Sequence, residues 1–108
     1  MTIGEYHVFW TQTAQKDLKK IIEYFAVDSD IQARRVYLAI KQKADNLRQM
    51  PLQGRIVPEL KYHSILIYRE LISSPWRIIY KTEENKVWVL AVIDGRRNVE
   101  DILLERFM

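Results

Sequence analysis

The sequence contains no cysteine and only two histidines, three glycines and three prolines. The lack of cysteine excludes disulfide bonds and thiolate metal sites, and it suits a reducing compartment. His7 and His63 alone argue against a zinc site. No glycine-rich phosphate loop or cluster of ligating side chains is visible, so we predict no cofactor and no metal.

Long apolar runs are also missing. No run approaches the ~20 residues that a membrane-spanning helix needs, and the first residues do not resemble a cleavable signal peptide. We therefore expect a cytoplasmic protein without a membrane partner.

The 108 residues are 48% hydrophobic and 29% charged, which is typical of a globular protein. This length predicts a single domain over residues 1–108 that buries roughly two thirds of its unfolded surface. There are 17 basic and 14 acidic residues, a formal net charge of +3. A weakly basic surface favours acidic partners but does not identify one.

Two amphipathic helices follow a first strand at residues 5–10. Thr11 or Thr13 can cap the first helix, because a hydroxyl accepts a hydrogen bond from a free amide of the first turn. Residues 28–30 separate it from the second helix, and so short a connection predicts an antiparallel helical hairpin. The second helix ends before Pro51. Its outer face is basic, and such a face either meets nucleic acid or an acidic partner peptide or, more commonly, is simply solvated.

The second half of the chain reads as strands. Residues 65–72, 75–81 and 86–93 are rich in β-branched and aromatic residues, and polar residues 82–85 form a turn. A two-residue turn at 84–85 would place Arg77 opposite Val92, on one face with Lys81, Trp88 and Asp94. The other face would then be wholly apolar, and it would carry Trp76, Ile78, Tyr80, Val87, Val89, Ala91 and Ile93.

Asn98 can cap a final helix over residues 99–107. The predicted order of elements is therefore β-α-α-β-β-β with a C-terminal helix. This is an α+β fold in which a mostly antiparallel sheet packs on the helical hairpin.

Four segments together resemble the RelE/ParE superfamily, the toxin halves of type II toxin–antitoxin pairs. They are residues 51–60 (PLQGRIVPEL), 68–71 (YREL), 76–80 (WRIIY) and 95–97 (GRR). The resemblance covers nearly the whole chain, and the first two segments are most similar to the ParE branch. It implies a plasmid-stabilisation toxin that inhibits DNA gyrase by binding and is neutralised by a cognate antitoxin.

The alternative implied by the same resemblance is a RelE-like endoribonuclease that cuts messenger RNA on the ribosome. Such an enzyme would use Arg77 and Arg97 to hold the phosphate, with Asp94 or Glu100 as the base. The resemblance also implies that members of the nuclease branch carry a tyrosine or histidine proton donor just after the last strand or in the C-terminal segment. In this sequence no tyrosine or histidine follows Tyr80. Losing a general acid–base group typically costs about 10²–10⁴ in rate. We therefore favour a binding inhibitor over an enzyme. A third reading is a toxin-derived fold kept only to bind DNA or to titrate an antitoxin.

The predicted target-binding residues are Arg69, Arg77, Arg96 and Arg97. Each has a structural alternative: Arg77 could pair with Glu70 or Asp94, and Asp94 with Arg77 or Arg97. The resemblance implies that an antitoxin tail folds onto the helical hairpin, and the predicted antitoxin-binding residues are its apolar side chains Leu18, Ile22, Val36, Tyr37 and Ile40. A homodimer and a toxin–antitoxin hetero-oligomer both stay open.

Overall fold

A computed structural model describes residues 5–108. Five strands form one mixed sheet in the order β1-β5-β4-β3-β2, in which only the β1–β5 pair is parallel. The strands are β1 (His7–Trp10), β2 (Arg55–Ile56), β3 (Arg69–Ser73), β4 (Trp76–Glu83) and β5 (Lys86–Asp94). The helices are α1 (Gln12–Ala26), α2 (Asp30–Asp45), α3 (Pro58–Lys61) and α4 (Val99–Phe107), with a 3-10 turn at Asn46–Arg48. The predicted α+β class is confirmed.

The helical hairpin of α1 and α2 covers one face of the sheet. Thr11 Oγ1 accepts a hydrogen bond from the amide of Ala14, and Ser29 Oγ accepts one from the amide of Gln32. These caps start the two helices where the sequence predicts. The core beneath the hairpin, called here the hairpin core, includes Leu18, Ile40, Leu47, Leu71, Ile78, Tyr80, Val87 and Val89.

The opposite face of the sheet carries a second, smaller core under α3 and α4. Its buried members are Val57, Leu60, Ile79, Ala91, Ile93, Val99 and Leu103. The C-terminal helix begins and ends as predicted, with Asn98 Oδ1 accepting a hydrogen bond from the amide of Asp101. The short helix α3 was not predicted. It begins at Pro58, which the first turn of a helix tolerates because no N–H is needed there.

A β-bulge in β5 reverses the faces of the sheet on which the side chains after Leu90 lie. Lys81 lies opposite Trp88, as a two-residue turn requires, but Ile79 pairs with Ala91, so Leu90 is an extra residue in β5. Beyond the bulge Arg77 lies opposite Ile93 and not Val92. The predicted faces are therefore wrong from Leu90 onward. Ala91 and Ile93 belong to the second core, and Asp94, opposite Trp76, lies on the other face from Arg77.

The strand predicted at residues 65–72 begins only at Arg69. Within residues 5–108 no helix is both long and apolar enough to cross a bilayer.

Candidate functional site

Arg77 lies at the centre of a buried ion-pair network. Its Nε donates to Glu70 Oε1 at 2.6 Å, and its two terminal nitrogens donate to the carboxylate of Glu59 at 2.7 and 2.6 Å. Nη2 also donates to Glu70 Oε2 at 3.0 Å, and the same oxygen accepts from Arg55 Nε at 2.7 Å. The side chain of Arg77 is only 10% exposed and that of Glu70 is fully buried. In this arrangement the nitrogens of the guanidinium are bound to the carboxylates of Glu59 and Glu70.

The network perturbs the protonation of its members. The hydrogen bonds from Arg77 hold the pKa of Glu59 below its ordinary value, and the hydrogen bonds to Glu59 raise the pKa of Arg77. Arg77 thus forms the ion pair with Glu70 that was predicted as the alternative to target binding. It also forms an ion pair with Glu59, which was not predicted.

This network predicts acid sensitivity. Because the folded pKa of Glu59 lies below its unfolded value of about 4.3, its contribution to stability is fully present above that value. It is lost as the pH falls through the lower, folded pKa. In urea unfolding between pH 6 and pH 3, the wild type should lose more stability than Glu59→Gln. Glu105→Gln, which removes an exposed carboxylate, should follow the wild type. Equal pH dependence in Glu59→Gln and the wild type would contradict the assignment.

Asp94 is bound by its neighbour Arg96. Its Oδ1 accepts from the Arg96 amide at 2.9 Å and from Nε at 3.0 Å, and its Oδ2 accepts from Nη2 at 2.8 Å. The expected ion pairs of Asp94 with Arg77 or Arg97 are not formed. Arg77 lies on the other face, and the turn at Gly95 brings residue 96 back over the carboxylate. These hydrogen bonds lower the pKa of Asp94. A carboxylate with a lowered pKa is a poor proton acceptor at neutral pH.

Tyr80, in strand β4, does not supply the proton donor that is missing from the C-terminal segment. Tyr80 is completely buried in the hairpin core, its hydroxyl oxygen accepts a hydrogen bond from the amide of Gly54 at 3.0 Å, and burial raises its pKa. Tyr80 therefore cannot deliver a proton to a bound phosphate.

The four arginines predicted to bind the target do not form one patch. Arg69 donates from Nη1 to the carbonyl of Gly54 at 2.8 Å, near the short strand β2. Arg77 is buried on the opposite face of the sheet. Arg96 and Arg97 are exposed where β5 ends. Only this last pair is brought together at an accessible site.

Sequence reasoning missed two cations that join Arg97. Lys20 of α1 and Arg106 of α4 line the same notch of about 140 Å³, together with Trp76 and the carboxylates of Asp17 and Asp94. Arg106 forms two hydrogen bonds with Asp17, at 2.7 and 3.0 Å. No local pattern could have linked these residues, because Lys20 and Arg106 come from opposite ends of the chain.

A separate apolar groove runs over the helical hairpin, with a volume of about 600 Å³. Leu18, Ile22 and Tyr37, three of the predicted antitoxin-binding residues, line it. Of the other two, Ile40 is fully buried in the hairpin core, and Val36 lines a different notch beside Trp76.

Trp10 and Lys41 complete the groove and were not predicted. The Nζ of Lys41 lies 4.7 Å from the centre of the Trp10 ring. Trp10 Nε1 is buried and has no hydrogen-bond partner among the described residues.

Comparison with known proteins identifies the family. Residues 8–99 match the family model described as the ParE toxin of the type II toxin–antitoxin system parDE. No curated protein matches the chain closely.

Two solved structures share the fold. One is the chromosomal ParDE toxin–antitoxin system from P. aeruginosa, with a TM-score of 0.71 and 19% identity over 83% of this chain and 96% of that one. The other is the toxin–antitoxin complex RelBE2 from Mycobacterium tuberculosis, with a TM-score of 0.63 and 21% identity over 84% of this chain and 99% of that one.

The fold and the family match define a toxin of the RelE/ParE superfamily. Within it, the chain belongs to the ParE family of type II toxins.

Proposed function

We propose that this protein inhibits DNA gyrase by binding, without breaking a bond in any nucleic acid, and that a cognate antitoxin neutralises it. The observation that carries the proposal is the state of Arg77, whose guanidinium forms four hydrogen bonds with two carboxylates. A nuclease of this fold would need that cation free and a proton-transfer group beside it. Instead, Asp94 is bound by Arg96 on the other face, and Tyr80 is buried.

A ribosome-dependent endoribonuclease is the second candidate. It is favoured by the exposure of Arg97 and by the likeness of the fold to the toxin–antitoxin complex RelBE2. Arg97 could stabilise charge on a phosphate, but Asp94 and Asp17, the carboxylates that line its notch, are bound by Arg96 and Arg106.

One experiment separates the two functions. Purified wild-type protein is added to a gyrase supercoiling reaction and, in parallel, to translating ribosomes whose messages are mapped by primer extension. We expect loss of supercoiling and no new message ends. Unaffected supercoiling at a large molar excess of toxin, or discrete new message ends, would overturn the proposal.

The groove over the helical hairpin supports binding of the antitoxin. Its apolar wall suits the face of an amphipathic helix, a common way to recognise a peptide. Lys19 and Lys41 line the groove together with Glu23, so the cations exceed the carboxylate among the lining residues, and this excess suits an acidic segment. In the ParDE and RelBE2 structures the relatives are toxin–antitoxin systems.

Tyr37→Ala should weaken antitoxin binding by about 30-fold, the effect of losing a hot-spot residue worth about 2 kcal/mol. Tyr37 lines the groove and is 41% exposed, so its loss should leave the fold intact. Isothermal titration with the protein encoded next to this one would measure the affinity. Tyr24→Ala is the matched control, because Tyr24 is 74% exposed and does not line the groove. Equal affinities for both variants would contradict the placement.

A further inference from the structure

Cations from three helices and one turn converge where β5 ends. Two notches lie there, and Trp76 lines both of them. Lys20, Arg97 and Arg106 line the first notch, of about 140 Å³. Arg35 of α2 lines the second, of about 160 Å³, together with Ser73 at the end of β3 and Ser74 in the turn that follows. We call the two notches and the adjacent Arg96 the β5 rim.

The β5 rim carries the excess charge of the chain. Five cations, Lys20, Arg35, Arg96, Arg97 and Arg106, stand against two carboxylates, Asp17 and Asp94. The local excess of three equals the formal net charge of +3 for all 108 residues. The remainder of the chain is thus neutral on balance, and a polyanion would be drawn to this end of the molecule.

Three of these cations are available to a ligand. Arg96 and Arg106 are engaged by Asp94 and Asp17. In contrast, Lys20, Arg35 and Arg97 form no ion pair within residues 5–108 and are exposed. Lys20 and Arg97 line the same notch, so one anionic group placed there can contact both cations. The hydroxyls of Ser73 and Ser74 add neutral donors of the kind that contact phosphate oxygens.

We propose that the β5 rim binds the phosphodiester backbone of a nucleic acid through Lys20, Arg35 and Arg97, without reading its bases. The unpaired cations lie in separate elements, with Lys20 on α1, Arg35 on α2 and Arg97 after β5, and the charge of a nucleic-acid backbone is likewise distributed over successive phosphates. The inference deepens the proposed function and rests on it for the biological ligand, the DNA that gyrase holds. The binding itself can be tested without gyrase.

The test is fluorescence anisotropy with a labelled 20-base-pair DNA duplex and, separately, a labelled single-stranded RNA of 20 nucleotides. Three phosphate contacts predict a slope of log K against log salt of about −2.7 on duplex DNA, and of about −2.1 on a single strand. The double variant Lys20→Ala with Arg97→Ala should reduce the duplex slope to about −0.9, because two contacts are lost. Exposed substitutions of this kind usually change stability by less than about 0.5 kcal/mol, and matching urea midpoints would confirm intact folding.

The matched control is Lys81→Ala with Lys86→Ala, which removes the same charge at the other end of the β4–β5 hairpin. The nine residues of β5 separate Lys86 from the rim by about 27 Å. The control should retain the slope of the wild type. A parallel loss of slope in both double variants, or no nucleic-acid binding by the wild type, would overturn the inference.

The two proposals fail in different ways. Supercoiling inhibition without any affinity for DNA or RNA overturns the phosphate site and leaves gyrase inhibition standing, with an acidic protein surface as the ligand of the rim. Rim-dependent binding without supercoiling inhibition supports the phosphate site and removes gyrase as the target. Rim-dependent binding that is tighter on RNA than on DNA supports the site and identifies RNA as the source of the phosphates.

Discussion

Arg77→Met is expected to lower the free energy of unfolding by about 3–5 kcal/mol, the usual cost of removing one partner from a buried ion pair. Glu70 is fully buried and would keep only Arg55, whose side chain is 59% exposed. Glu59 would lose both of its hydrogen bonds to the guanidinium. Urea unfolding followed by circular dichroism gives the change from the midpoint and the slope.

The control for this prediction is Arg96→Met, which removes the same charge from an exposed pair. Arg96 is 71% exposed in its side chain, and surface ion pairs contribute about 0–1 kcal/mol.

A second variant separates the cost of buried unpaired charge from the cost of lost packing. Combining Arg77→Met with Glu59→Gln and Glu70→Leu removes the unpaired carboxylates, so it should recover part of the stability that Arg77→Met loses. A loss below 1 kcal/mol in Arg77→Met would show that the network is not structural, and Arg77 would again be a candidate for target binding.

Asp17→Ala is expected to cost about 2–3 kcal/mol, because it leaves a buried amide without a partner and removes charge-assisted hydrogen bonds. Strand β1 pairs with β5 only as far as Val89, so the amide of Val92 has no strand partner on that edge. Asp17 Oδ2 accepts from it at 3.0 Å, and the same carboxylate holds Arg106 of α4. One carboxylate therefore satisfies the sheet edge and fastens the C-terminal helix to α1.

Arg106→Ala and Asp28→Ala are the two variants whose stability is compared with that of Asp17→Ala. Arg106→Ala should cost less than Asp17→Ala, because the hydrogen bond from Val92 to Asp17 survives. Asp28 is exposed in the loop of the helical hairpin, and its loss should change stability by less than about 0.5 kcal/mol. Equal losses in Asp17→Ala and Arg106→Ala would mean that the ion pair, and not the capping of the strand edge, carries the stability.

The elements that the sequence predicted well are those with local causes. The two long helices follow from apolar residues repeated at helical spacing and from the hydroxyls of Thr11 and Ser29, which lie three residues before the amides that they cap. The last helix follows in the same way from Asn98. By contrast, Pro58 predicts neither element, because proline is compatible both with the end of an extended segment and with the first turn of a helix, where α3 begins.

The faces of β5 could not be predicted because one extra residue reverses them. The run from Val87 to Ile93 is apolar at every position, so the alternation that normally assigns faces is missing, and a bulge at Leu90 has no visible signature. That single insertion places Asp94 on the opposite face of the sheet from Arg77, and Asp94 forms its ion pair with Arg96 instead. The shared proton-transfer site that the nuclease interpretation needs is therefore not assembled.

By itself, the sequence determined the helical hairpin, the class of fold, the resemblance to the RelE/ParE toxins and the presence of arginines after the last strand. These properties depend on local spacing and on motifs within a few residues of one another. Only the tertiary structure decided which arginines are free. Arg77 is neutralised by Glu59 and Glu70, while Arg97 meets Lys20 and Arg106 from distant helices. The pairing of a charge depends on side chains brought together across the chain, and that proximity is a property of the packed sheet and helices, not of sequence spacing.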